Sequence, residues 1–94
     1  MPRAELLRRL AELKPWLTAQ GVERLRLFGS HARDEAGDRS DVDLIADLAK
    51  PMGLRFFRLQ DELAERLGAP VDLVTEAALA PDIRYRALRE AISA

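Results

Sequence analysis

Two acidic side chains, Asp41 and Asp43, stand one residue apart and follow Gly29-Ser30 by ten intervening residues. Carboxylates this close repel one another unless a cation lies between them. Hard oxygen donors suit Mg²⁺, which keeps several of its waters and takes phosphate oxygens as further ligands. A Gly-Ser turn that opens a helix presents backbone N–H groups without intrahelical acceptors, and these suit an anion such as a phosphate. The stretch RLRLFGSHARDEAGDRSDVDLIAD thus joins a cation-binding element to a phosphate-binding one. Together they point to a metal-dependent enzyme acting on nucleotides.

The surrounding pattern supplies elements to position these groups. A strand over 23–28 alternates Leu25 and Leu27 against Arg24 and Arg26, and a second strand over 41–48 opens on the two acids, which share one face because strand side chains alternate. Between them lie the tight turn and a short helical piece. Ahead of them Leu6, Leu10, Leu13 and Leu17 form a helical stripe, with Pro15 expected to end or kink the helix and Gly21 to stop it. A helix over 53–67 carries Phe56, Leu59, Leu63 and Leu67 on one face and ends at Gly68 and Pro70. A short strand over 71–75 follows, and a last helix from near Pro81 is expected to bury Tyr85, Leu88 and Ile92.

The first two strands could pair either way, since a dozen residues barely suffice for a parallel crossover and antiparallel pairing also brings the turn beside the acids. The helix between the second and third strands is long enough for a parallel crossover. Asp72, near the start of the third strand, would then lie level with Asp41 and Asp43. An acid between Val71 and Leu73 is poorly suited to packing alone, so it becomes the candidate third carboxylate. The expected fold is α+β, a two-layer arrangement with a small mixed sheet of about three strands in the order α-β-α-β-α-β-α.

Composition sets bounds. The 94 residues suit one domain with a modest core, read as a single unit over 1–94. A hydrophobic fraction of 48% and a charged fraction of 33% describe an ordinary globular chain, and a net charge of −1 supplies no field toward nucleic acid or an anionic membrane. The absence of cysteine excludes a disulfide framework and a zinc–thiolate site. Arg3, Glu5, Arg8 and Arg9 interrupt the first leucine stripe, which argues against a signal peptide or membrane span and makes the cytoplasm the default location.

The segment LFGSHAR…SDVDLIAD resembles the signature of the DNA polymerase β-like nucleotidyltransferase superfamily: Gly-Ser, about ten residues, then Asp-x-Asp. With PVDLVTEAAL and the closing arginine-rich helix included, nearly the whole chain is similar to the minimal nucleotidyltransferases. These are antitoxins of prokaryotic pairs whose toxin is a HEPN-domain ribonuclease. The resemblance implies transfer of AMP from ATP to a tyrosine of the HEPN partner, with two Mg²⁺ ions and a hetero-oligomeric complex. It assigns Gly29, Ser30 and Arg33 to nucleotide binding and Asp41, Asp43 and Asp72 to catalysis and metal binding, with Asp72 priming the acceptor hydroxyl. Asp34 departs from the pattern, since relatives often carry glycine there; it is expected to narrow the cleft or weaken triphosphate binding.

Other residues weigh less. His31 is the only histidine and is read as a variable surface residue. Asp47 shares parity with the two acids but lies roughly 13 Å further along at about 3.3 Å per residue, and is read as a surface acid. Arg84, Arg86 and Arg89, with Glu90 interspersed, read as a solvated face. Trp16, Phe56 and Phe57 read as core. The chain carries little beyond a nucleotide site and its scaffold, so an acceptor that is itself a folded protein is expected, with no direct nucleic-acid binding. The alternative is an antitoxin that neutralises a HEPN ribonuclease by contact alone.

Overall fold

The computed structural model describes residues 1–37 and 40–94. The chain begins with α1 (Arg3–Glu12) and α2 (Lys14–Gln20), separated at Leu13 just before Pro15, so the single leucine stripe is delivered by two helices. Then come β1 (Val22–Phe28), the one-turn α3 (Gly29–Ala32), β2 (Val42–Leu48), α4 (Arg55–Leu67) and β3 (Val71–Val74). A 3₁₀ turn (Glu76–Ala78), α5 (Pro81–Glu90) and β4 (Ile92–Ser93) complete the chain.

The sheet order is β3-β2-β1-β4. β1 runs antiparallel to both β2 and β4, whereas β2 and β3 are parallel, with α4 as the crossover. The choice that the short β1–β2 connection left open is therefore settled as antiparallel. The expected mixed sheet is present with one strand more than the three anticipated: Ile92, assigned to the last helix from its apolar character, lies in β4 and pairs with Leu27.

One face of the sheet forms the core. Leu25 and Leu27 of β1 and Val42, Leu44 and Ala46 of β2 pack against Leu6 and Leu10 of α1, Leu17 of α2, and Leu59, Leu63 and Leu67 of α4. A register shift between Val22 and Arg24 lets Val22 join the same cluster although it is an odd number of residues from Leu25. Arg9 fastens α1 to α4 by donating to the Leu67 carbonyl at 3.0 Å, one of the orphan acceptors at a helix end.

The other face carries Arg24, Arg26, Asp43, Ile45, Asp47 and Asp72. Ile45 is fully buried here, and α5 and the 3₁₀ turn pack over this side. Beyond it, Asp47 accepts from Arg24 at 2.7 Å and Arg26 at 3.1 Å, and Arg26 also reaches Glu76 at 3.2 Å. Asp47 is thus a half-buried ion-pair member rather than a free surface acid. On α5 the buried residue is Ala87; Tyr85, expected inside, is 65% exposed. Arg84 donates to the carbonyls of Glu76 and Leu79, so it braces the turn into α5 rather than joining a solvated basic face.

Candidate active site

β1 delivers the chain to Gly29 at the end of the sheet where β2 and β3 begin. In the β1–β2 register Phe28 lies opposite Asp43, and in the β2–β3 register Asp43 lies beside Asp72. Asp41 immediately precedes β2, where the Val42 N–H donates to the Pro70 carbonyl at 2.8 Å and extends the pairing with the entry to β3. The three acids named from sequence therefore meet at one end of one sheet face. Asp41 and Asp72 are exposed and Asp43 is half-buried.

Gly29 fits this corner for two reasons. Its φ of +72° lies in the left-handed region that a side chain disfavours, and a Cβ there would collide with the Asp43 carboxylate. The Asp43 carboxyl is held above the ordinary carboxylate range. Loss of solvent is the main cause, followed by the negative charges of Asp72 and Asp41, while His31 and Arg33 act in the opposite direction.

This donor set fits a hard divalent cation. The Asp43 carboxylate, short of solvent and facing the charges of Asp72 and Asp41, gains when a positive ion joins them. Among the described residues no three acidic or imidazole side chains already close around a single point. Asp41, Asp43 and Asp72 are the oxygen donors that such a cation would take, with waters and substrate phosphates supplying its other ligands.

The remaining candidates divide. Ser30 is half-buried at the start of α3, next to Gly29. Arg33 sits one turn further, and its guanidinium is engaged by Glu35 at 3.0 Å and Glu90 at 2.9 Å. It reaches the field of Asp43 but is not aimed freely at the acids. Asp34 adopts φ +59°, a conformation that glycine takes freely and that Asp tolerates better than most residues. Its Oδ1 accepts from the backbone N–H of Arg3 at 3.1 Å, at the start of α1. The side chain is thus engaged at the start of α1.

His31, read from sequence as a surface residue, is 3% exposed, and its Nδ1 lies 3.1 Å from the Asp41 carbonyl oxygen. Its one sequence cue is its place beside Ser30 in a helix too short for periodicity to reveal which side faces inward. A second feature outside the motif begins at Asp72. Asp72 lines a hollow of about 660 Å³ walled by Leu48, Met52, Phe56, Phe57, Leu73 and Val74. Phe56 is partly buried against the core, but Phe57 on the rim is 65% exposed and nearby Leu54 is 85% exposed. Phe57 is therefore not core.

Residues 3–94 match the family model described as the nucleotidyltransferase domain, and the chain belongs to this family. Among curated relatives it is 37% identical to protein adenylyltransferase MntA of Thermococcus cleftensis, over 88% of this chain and 93% of that protein. It is 38% identical to a provisionally named protein adenylyltransferase of Methanocaldococcus jannaschii, over 83% and 85% of the two chains. A solved structure provisionally assigned as a minimal nucleotidyltransferase superposes with a TM-score of 0.83 at 39% identity, covering 98% of this chain and 95% of the other. A toxin–antitoxin complex containing AMP-PNP shares the fold at a TM-score of 0.69 and 19% identity, covering 99% of this chain and 72% of that one. No described helix is long and apolar enough to cross a membrane.

Proposed function

We propose that this chain transfers AMP from ATP to a tyrosine hydroxyl of a HEPN-domain toxin, with which it forms a hetero-oligomer in the cytoplasm. The observation that carries the reading is the convergence of Asp43, Asp72 and the Gly29 turn at one end of the sheet. The reaction is supported by relatives named protein adenylyltransferase. The acceptor is suggested by a complex sharing the fold at a TM-score of 0.59 and 18% identity, a minimal nucleotidyltransferase antitoxin with the tri-AMPylated HEPN toxin of Shewanella oneidensis.

Asp41, Asp43 and Asp72 would hold two Mg²⁺ ions, which when bound neutralise phosphate charge and lower the pKa of the attacking hydroxyl. The Gly29-Ser30 turn binds the β- and γ-phosphates through backbone N–H groups and the Ser30 hydroxyl. Asp72 accepts the proton of the tyrosine hydroxyl as that oxygen attacks the α-phosphorus. The bond from the α-phosphorus to the bridging oxygen breaks, and pyrophosphate leaves. Arg33 adds positive charge near the phosphates once a substrate competes for it with Glu35 and Glu90. The apolar hollow at Asp72 suits an aromatic acceptor.

The deciding experiment is the intact mass of a HEPN-domain protein encoded beside this chain, after incubation with the chain, ATP and Mg²⁺. One or more AMP adducts, lost with Asp43→Asn, support the reading; an unmodified partner overturns it. A second reading, neutralisation by contact alone, is favoured by the exposed Leu54 and Phe57. Protection of cells by the Asp41→Asn, Asp43→Asn double variant would establish that contact suffices.

A further inference from the structure

His31 joins the two halves of the candidate site. It lies in α3 directly after Ser30, yet its ring reaches across to the peptide of Asp41, ten residues away in sequence. A carbonyl oxygen can only accept, so Nδ1 carries the proton in this contact. The acceptor is informative. The strand ladder begins at Val42, with Val42 opposite Val71, and the Asp41 carbonyl lies outside it. The N–H side of the same peptide unit, that of Val42, is held at 2.8 Å by the Pro70 carbonyl at the entry to β3, and the imidazole holds its carbonyl side and ties it to α3. The ring is buried, where a donor without an acceptor is penalised, so the contact is favoured in the folded chain.

We propose that His31 is a positioning residue for Asp41: it fixes the Asp41 peptide to the phosphate-binding turn, so that cation ligands and phosphate ligands keep one geometry. The inference rests on the reading of Asp41 and Asp43 as cation ligands and extends it to a residue without an assigned role. A buried histidine that merely filled space would leave cation affinity untouched once its volume was replaced. A residue that orients a ligand behaves differently, and loss of such an outer partner costs roughly 10–100-fold in metal affinity or activity.

Two nearly isosteric substitutions separate these roles. In His31→Asn the amide nitrogen overlies the position of Nδ1 and can still donate to Asp41. In His31→Leu a methyl group takes that place, and burial of an apolar side chain keeps the fold. The measurement is Mg²⁺-dependent binding of AMP-PNP by calorimetry, with thermal melting as a fold check and kcat and KM for AMP transfer as a second readout. The expected result is a loss of about 10–100-fold for His31→Leu, a melting temperature near that of the wild type, and recovery in His31→Asn. Transfer should fall mainly in kcat, because a displaced acid spoils the reacting geometry more than nucleotide capture.

Wild-type binding by His31→Leu overturns the proposal, as does an equal loss in both variants. If His31→Leu does not fold, His31→Gln replaces it: its amide reaches the Nε2 position instead, so retained binding overturns the role and lost binding supports it. Failure of the wild-type chain to bind AMP-PNP with Mg²⁺ sinks the reading of the acids and this inference with it. Wild-type binding that is indifferent to residue 31 sinks the inference alone.

Discussion

The two faces of the central sheet use the same strands for opposite ends. Toward α1, α2 and α4, β1 and β2 present Leu25, Leu27, Val42, Leu44 and Ala46, all buried in one apolar cluster. Toward α5, the alternate residues of β2 are Asp43, Ile45 and Asp47. Only Ile45 resembles the core, and it separates two charged groups of different character. Asp47 is matched by Arg24 and Arg26, whereas Asp43 faces two further acids and is destabilised in its ionised form. Both groups centre on β2, yet the charge of one is matched by the fold, although Arg26 Nε has no partner, and the other is left for something the fold does not supply. A fold rarely retains crowded like charges without a use for them.

The sharpest way to break this comparison is to neutralise the unsatisfied end. Asp43→Asn is expected to abolish AMP transfer, by at least about 10³-fold, because ligands that act as a unit are not individually dispensable. The same change should raise the melting temperature of the metal-free protein, since the ionised carboxylate is penalised in the fold. Leu44→Ala, one residue away on the other face, should do the reverse. It is expected to cost about 2–5 kcal/mol of stability, with transfer per folded molecule retained at permissive temperature. Parallel melting and intact-mass assays test both; a destabilised Asp43→Asn would refute the claim that this acid is under strain.

A pH series sharpens the same point. The folded pKa of Asp43 is raised above its unfolded value, so the folded state binds the proton more tightly. The stability penalty is present in full above the folded pKa and is relieved as pH falls through it toward the ordinary carboxylate value. Mg²⁺ competes with that proton, so cation-dependent transfer should decline at a higher pH on the acid side than an ordinary aspartate would impose. Stability of the metal-free chain and transfer thus move in opposite directions over one window, and Asp43→Asn should remove that component of the stability profile. Chemical denaturation across the acid range provides the check.

Gly29→Ala probes the seam between loop and acid. The left-handed backbone costs about 1–3 kcal/mol for a residue with a side chain, and the added methyl group must displace the Asp43 carboxylate. Nucleotide binding should suffer beyond what the stability loss explains, in calorimetry with AMP-PNP. Arg26→Met tests the satisfied end instead. Asp47 keeps Arg24 at 2.7 Å and Glu76 is solvated, so loss of one cation leaves no uncompensated buried charge. A shift within about 1 kcal/mol is expected, with transfer unchanged.

How far this arrangement could be read from sequence depended on whether a feature was written in spacing or in contact. The Gly29-Ser30 to Asp41 interval, the alternation through β1 and β2, and the acid in β3 are all matters of spacing, and the strands carry them to one corner. β4 escaped because two residues pairing with Arg26 and Leu27 hold no periodic signal. On α5 the large apolar residues suggested the wrong face; the helix approaches the sheet through Ala87, and Tyr85 turns outward. His31 escaped for a similar reason: α3 is a single turn, and its burial follows from packing of α3 on β2 rather than from any pattern of its own.

The smallest effect is expected at Asp34, and it distinguishes a positional role from a chemical one. Its left-handed φ and its hydrogen bond to the first amide of α1 are separable. Asp34→Gly relieves the backbone but loses the cap, and the negative charge at the start of the helix with it. Asp34→Ala loses the cap and keeps an unfavourable backbone, so it should be the least stable, by roughly 1–2 kcal/mol. Asp34→Asn keeps an acceptor oxygen and tolerates the conformation, so it should lie nearest the wild type. The expected order of melting temperature is Asp, Asn, Gly, Ala. If Asp34 acted on the triphosphate instead, Gly and Asn would raise nucleotide affinity regardless of that order, because either removes a negative charge near the phosphates. Melting curves and AMP-PNP titrations on the three variants therefore decide whether this residue serves the helix or the cleft.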